Sequence, residues 1–195
     1  MTALPAGGPR IGLLGGSFNP AHSGHLHISL LALKRLRLDQ VWWLVSPQNP
    51  MKPEAGMAPF EQRLRRARDL ACHPRVRVTG IEAALGTRYT VDTLRALRSR
   101  YPRGRFVWLM GADNLVQVAR WRGWTSIFHT VAIAVFPRPT YSFRALAGKA
   151  AVRFAGARIR ESQAAHLATM TPPAWVFLHV AESALSATAI RDRHG

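Results

Sequence analysis

The sequence predicts an α/β fold, a single Rossmann-like open parallel sheet flanked by helices. Two observations point there. Apolar segments of strand length alternate with longer segments whose apolar residues recur at helical spacing. The strand-length segments are also apolar at nearly every position, as central parallel strands are. A third feature fixes where function is expected: each cluster of polar, chemistry-bearing residues follows one of these strands. In an open α/β sheet such loops converge on the C-terminal edge, where ligands bind.

In chain order, Ile11–Leu14 is the first strand. Leu26, Leu30, Leu33 and Leu36 then recur at helical spacing, and Ile28, Leu31 and Leu38 are apolar too, which predicts a helix buried on several sides. Val41–Val45 is the second strand, and a proline-rich loop from Ser46 to Pro59 follows it. Phe60, Leu64, Ala67 and Ala71 mark one face of a helix, with Arg63, Arg65, Arg66 and Arg68 around the rest. Val76–Val78 is a short third strand. Thr90 reads as the N-cap of a helix with Asp92 in its first turn, a stripe of Val91, Leu94, Leu97 and Tyr101, and a stop at Pro102. Phe106–Met110, Val131–Phe136 and Trp175–Leu178 are the remaining strands. Residues 142–168 read as one helix with a weak stripe, and 186–191 as a last loop and helix start. No repeat or linker divides the chain; residues 1–9 are expected to be a flexible segment ahead of one domain over 10–195.

At 195 residues and 48% hydrophobic content the chain is long and apolar enough for a folded core. Its one cysteine, Cys72, excludes an internal disulfide and a zinc site of several thiolates, so a reducing, cytoplasmic setting is the simplest expectation. No apolar run approaches the ~20 residues of a membrane helix, and no membrane role is expected. The balance of 27 basic to 10 acidic residues, net +17, suits anionic small substrates or nucleic acid, or is a composition bias of a solvated surface.

The most informative stretch is Gly15-Gly16-Ser17-Phe18-Asn19-Pro20-Ala21-His22-Ser23-Gly24-His25, between the first strand and the first helix. Two glycines allow a sharp turn and close approach to a ligand. A helix opening near Gly24 directs its unpaired N–H groups, worth roughly half a positive charge, at the loop, which suits a phosphate. The loop is not G-x-G-x-x-G, because two leucines separate Gly12 from Gly15, and no lysine follows to make a G-x-x-x-x-G-K-[ST] loop. His22 and His25, three residues apart, could face one helical side and bind phosphate, or serve only as surface or capping residues.

This stretch resembles the signature of nucleotidyltransferases with a His-x-Gly-His phosphate site, and among them the nicotinate-nucleotide adenylyltransferases of bacterial NAD synthesis. Ser186-Ala-Thr188-Ala-Ile-Arg191 is similar to that family's second signature. Tyr89-Thr90-Val-Asp92-Thr93-Leu, Gly111-Ala-Asp113 and Trp121 match between them. The resemblance spans Ile11 to Arg191, with two departures: Asn19 stands where the family usually has Asp, and the sequence stops at Gly195, just after the second signature, where relatives often continue with another helix, so a final helix is expected to be reduced.

The resemblance implies transfer of the adenylyl group of ATP, with Mg²⁺, to nicotinate mononucleotide. His22, His25 and Arg191 would be the catalytic groups. Gly15, Gly16, Ser17, Phe18, Gly24, Gly111, Asp113, Ser186 and Thr188 would bind ATP. Asn19, Lys52, Tyr89, Thr90 and Trp121 would bind the mononucleotide, with Trp121 stacking on the nicotinate ring. Plainer roles stand beside these: Lys52 as a solvated loop lysine, Ser186, Thr188 and Asp113 as helix caps, Trp121 as a packing aromatic. No protein-held metal site and no nucleic-acid partner are expected. The alternatives are another adenylyltransferase, accepting nicotinamide mononucleotide or a pantetheine phosphate, and a basic nucleic-acid-binding domain.

Overall fold

The computed structural model describes residues 7–47, 56–138 and 141–179. Six parallel strands form one sheet. They are β1 (Arg10–Gly16), β2 (Gln40–Val45), β3 (Val76–Thr79), β4 (Arg105–Gly111), β5 (Ala132–Phe136) and β6 (Trp175–Phe177), in the order β3-β2-β1-β4-β5-β6. The chain runs outward from β1 to β3, then returns to β1's other side with β4 and runs outward again. The order therefore reverses between β1 and β4, and the crevice of such a sheet opens at the C-terminal ends of those two strands.

Both faces of the sheet are covered, which is why the strands are apolar at consecutive positions. Ile11, Leu13, Trp42, Leu44, Phe106, Trp108 and Met110 pack on one side. They meet α4 (Thr90–Arg100), α5 (Ala112–Gln117), α6 (Trp124–Thr130) and α8 (Lys149–Arg153). Leu14, Val41, Trp43, Val45, Val107 and Leu109 pack on the other, beneath α1 (Ser23–Arg35), α2 (Phe60–Leu70) and a 3₁₀ segment, Glu161–Thr169. Two short helices, α3 (Ile81–Ala84) and α7 (Ser142–Leu146), complete the set among the described residues.

Three expectations change. Helix α1 is buried on one face only: Ser29, Ala32 and Leu33 are covered, whereas Leu30 is 40% exposed, because the helix lies on a single side of the sheet. Thr90 is the first helical residue and not the cap. The amides of Asp92 and Thr93 both reach the Tyr89 carbonyl, which makes Tyr89 the N-cap, and Tyr101 at the far end of the stripe is 37% exposed. Residues 142–168 are not one helix. They divide into α7, α8 and two 3₁₀ segments, since Ile159 donates its amide to the Trp175 carbonyl and Arg158 bridges to β6.

Helix α1 is locked to β2 by a buried polar contact. Trp43 donates its indole N–H to Ser29 Oγ at 2.7 Å, and Ser29 donates in turn to the His25 carbonyl at 2.8 Å. Replacing Ser29→Ala leaves the indole N–H buried without an acceptor, so urea unfolding should show a loss of about 1–3 kcal/mol, with Trp43→Phe in the same background recovering part of it.

Candidate active site

The loop after β1 is built by close approach and one strained residue. An ideal Cβ on Gly15 would lie 2.4 Å from the Trp108 ring, so only glycine lets β1 end against β4 here. Neither Gly15 nor Gly16 has a positive φ; the turn expected of them is made at Phe18, with φ 49°. A bulky residue in that region is strained unless its surroundings hold it. Phe18 is held: it is 2% exposed, stacks on Trp43 at 5.2 Å and lies 4.7 Å from the His25 ring. The following Asn19–Pro20 bond is cis.

His22 precedes α1 and caps it. Its Nδ1 accepts from the Gly24 amide at 3.2 Å, and His25 Nδ1 accepts from the His22 amide at 3.2 Å, a reciprocal capping box made by two imidazoles. The rings lie 4.0 Å apart. A Cβ on Gly24 would come within 2.9 Å of the His22 ring, so the glycine between the histidines is what lets the cap close. With Nδ1 accepting, a neutral His22 ring carries its proton on Nε2, whereas His25 Nδ1 also lies 3.3 Å from the His22 carbonyl, to which it donates in the other tautomer. Burial, then the neighbouring His22 and Arg138 charges, hold His25 down to about 4; its contact with the His22 backbone pulls weakly the other way.

The neighbouring loops are tied to this one. Asn19 donates Nδ2–H to the Gly56 carbonyl and accepts from the Ala58 amide, both at 3.1 Å. Arg63 on α2, 1% exposed, donates to the carbonyls of Ser17, Ser46, Pro47 and Ala58 at 2.6–2.9 Å. It had the look of one more solvated arginine. The Glu82 carboxyl on α3 is buried and bonded by Thr93 Oγ1, with Ser46 a second side-chain partner. Burial pushes it up to about 7 against the pull of those two hydroxyls.

Across the strand-order reversal, Gly111 ends β4 and is the N-cap of α5. Asp113 is therefore not the cap. Its Oδ1 folds back over Gly111, where an added Cβ would meet it at 2.3 Å, and sits 3.6 Å from Arg138 Nε. Arg138 follows β5, paired through Gly111↔Phe136 to the same edge, and its charge reaches His25. Its place just past a strand end was the available signal, but no motif marked it.

Tyr89, Thr90 and Trp121 form a second group on the face carrying α4 and α6. Tyr89 and Trp121 pack half-buried against the core, and the Arg122 guanidinium covers the Tyr89 ring at 4.7 Å. Lys52, Ser186, Thr188 and Arg191 lie outside the described residues.

The cytidylyltransferase-like family model matches residues 13–193. A relative from Parvibaculum lavamentivorans, named as a probable nicotinate-nucleotide adenylyltransferase, is 55% identical over 96% of this chain and 94% of its own. One of the same name from Cereibacter sphaeroides is 58% identical over 93% and 96%. The chain belongs to the nicotinate-nucleotide adenylyltransferase family. Solved Plasmodium falciparum nicotinic acid mononucleotide adenylyltransferase, complexed with APC or with NaAD, shares the fold at TM-score 0.65 and 14% identity, covering 94% of this chain and 83% of that one.

The charge state of His25 is open to test. The depressed value means that protonation is resisted in the folded state: stability present above the unfolded value of 6.5 falls away as pH drops toward 4. In NMR titrations His25 should titrate near 4 in the free protein, and saturating ATP should raise its midpoint by about one pH unit or more, since an adjacent anion favours imidazolium.

Proposed function

We propose that this chain transfers the adenylyl group of MgATP to nicotinate mononucleotide, giving deamido-NAD and pyrophosphate. The observation that carries the reading is the imidazole capping box at the start of α1, set at the strand-order reversal of a parallel sheet. It presents histidines, helix amides and a positive dipole end at one place, which is a polyphosphate site by construction.

The reaction makes modest chemical demands. A phosphate oxygen of the mononucleotide attacks the α-phosphorus of ATP, and the bond from that phosphorus to the bridging oxygen of the β-phosphate breaks. The nucleophile is already an anion, so no side chain has to remove a proton. What the protein supplies is in-line placement and stabilisation of charge moving onto pyrophosphate. His22 and His25 take phosphate oxygens of ATP, together with the loop from Gly15 to Phe18. Arg138 adds a cation from β5, and the Asp113 carboxylate accepts from nucleotide hydroxyls. Tyr89, Thr90 and Trp121 form the wall for the flat pyridine ring, with Trp121 stacking on it. Lys52, Ser186, Thr188 and Arg191 complete the phosphate contacts in this reading. Mg²⁺ arrives as part of the nucleotide substrate; among the described residues no three His, Cys, Asp or Glu side chains cluster as a metal site. A cytoplasmic setting fits the single cysteine and the soluble substrates.

Pyrophosphate release with ATP, Mg²⁺ and each of three acceptors tests the assignment. Nicotinate mononucleotide should turn over and exceed nicotinamide mononucleotide and pantetheine phosphate; a preference for either of the latter overturns it. His22→Asn keeps an N-cap acceptor, so its melting temperature should stay near wild type while kcat/KM falls on the order of 10²–10³-fold. Replacing Trp121→Ala should raise KM for the mononucleotide about tenfold or more with little change for ATP, as loss of one stacking wall requires; equal effects on both substrates would remove the stacking role.

A further inference from the structure

We infer that Arg63 is a positioning residue for adenylyl transfer: from beneath the site it draws in the carbonyls of Ser17, Ser46, Pro47 and Ala58 and so turns the Phe18 amide outward to a substrate phosphate. The inference rests on the adenylyl-transfer reading above. Its geometric basis is independent of any ligand. Arg63 Nη1 donates to Ser17 at 2.6 Å and Ser46 at 2.7 Å, Nη2 to Pro47 at 2.7 Å, and Nε to Ala58 at 2.9 Å. These carbonyls belong to the loop after β1 and to the two ends of the segment that leaves β2 and returns to α2. Ala58 is gripped on both sides, its amide by Asn19 and its carbonyl by Arg63.

The orientation follows from the peptide unit. A trans peptide holds its C=O and the next residue's N–H antiparallel in one plane. Fixing the Ser17 carbonyl toward a guanidinium that is 1% exposed therefore points the Phe18 N–H away from Arg63. Phe18 itself has a left-handed backbone and its ring lies 4.7 Å from that of His25.

Stability alone does not account for the residue. Position 63 lies in the apolar stripe of α2, between Phe60, Leu64 and Ala67, where the surroundings suit a hydrophobic side chain. Among the described residues no carboxylate forms an ion pair with Arg63. A buried cation bound only by carbonyls carries a desolvation penalty of several kcal/mol before those bonds offset it. Its return is geometric, four carbonyls held by one planar fork, and electrostatic, a positive charge directly under an anion site. Lysine offers neither the fork nor the fixed directions.

The test compares Arg63→Lys and Arg63→Met with Leu64→Ala, a neighbouring core change that lowers stability without touching the fork. At a temperature where all are folded by circular dichroism, the Arg63 variants should raise KM for ATP and for nicotinate mononucleotide and lower kcat/KM about 10–100-fold, the cost of a misplaced contact. Leu64→Ala should lower the melting temperature yet keep both KM values. Folded Arg63 variants with KM values within about twofold of wild type overturn the inference; should neither variant fold, the wild-type protein decides. In amide NMR, titration with ATP or inorganic pyrophosphate should move the Phe18 resonance strongly, and an unmoved Phe18 amide overturns the inference. If the wild-type chain releases no pyrophosphate with any acceptor, the reaction assignment fails, and the pyrophosphate titration still judges Arg63.

Discussion

In the proposed function the first turn of α1 satisfies its own backbone and binds an anion with the same two residues. His22 and His25 meet the first requirement with Nδ1, each closing onto an amide of the loop or helix start. For His22 this leaves Nε2–H as the donor of the neutral ring, so capping and the proposed phosphate contact fall on opposite nitrogens of one ring. A serine or aspartate cap would hold the helix equally well and leave nothing over. The contact between the rings at 4.0 Å has a consequence of its own: two imidazolium ions cannot comfortably share that space without an anion between their donors and solvent. Burial and the neighbouring charges keep His25 neutral down to about 4, and an anion bound beside it would favour its charged form.

The same economy governs the charged groups around it. The reaction brings together two polyanionic substrates, so carboxylates near the phosphates work against binding. Glu82 lies against Ser46 at the sheet edge, and burial keeps its carboxyl up at about 7, so below neutrality it sits there as a neutral acid bonded to hydroxyls. Asp113 is the exception, and Arg138 stands 3.6 Å from it. Arg63 contributes a cation with no anionic partner among the described residues. Elsewhere Arg10 and Arg35 pair with Asp39 and Glu161.

Much of this was legible in the order of residues. Five of the six strands are near-continuous apolar runs and β3, at the sheet edge, is a Val-Arg-Val alternation, so the pattern places every strand to within two residues at each end. Residues 142–168 misled because the decisive contact is distant: Ile159 gives its amide to Trp175, and no local propensity announces a backbone bond to a strand sixteen residues on. The motif from Gly15 to His25 located the loop but not its workings. Glycine was expected to make the turn, whereas the glycines permit contact with Trp108 and Phe18 turns the chain. Arg63 was readable in principle, because it stands three residues after Phe60 and four before Ala67, on the stripe that α2 buries. Treating every arginine as solvated hid it. Arg138 and Glu82 carried no motif at all; only the sheet register brings them to the edge.

Asn19 shows how a departure from a family pattern can be read from geometry. Where the family usually has a carboxylate, this chain has an amide whose two ends are both in use, Nδ2 donating to Gly56 and Oδ1 accepting from Ala58. Aspartate could accept from Ala58 but has no proton for the Gly56 carbonyl, and it would set a negative charge on the loop that holds phosphate in the proposed function. The amide closes the segment before α2 onto the loop after β1 with two bonds and no charge. Arg63 grips that segment at the Ala58 carbonyl, so the two side chains hold one residue through its two flanking peptides. An amide at position 19 and a guanidinium at position 63 are then parts of one arrangement, which fastens these loops with neutral and positive groups.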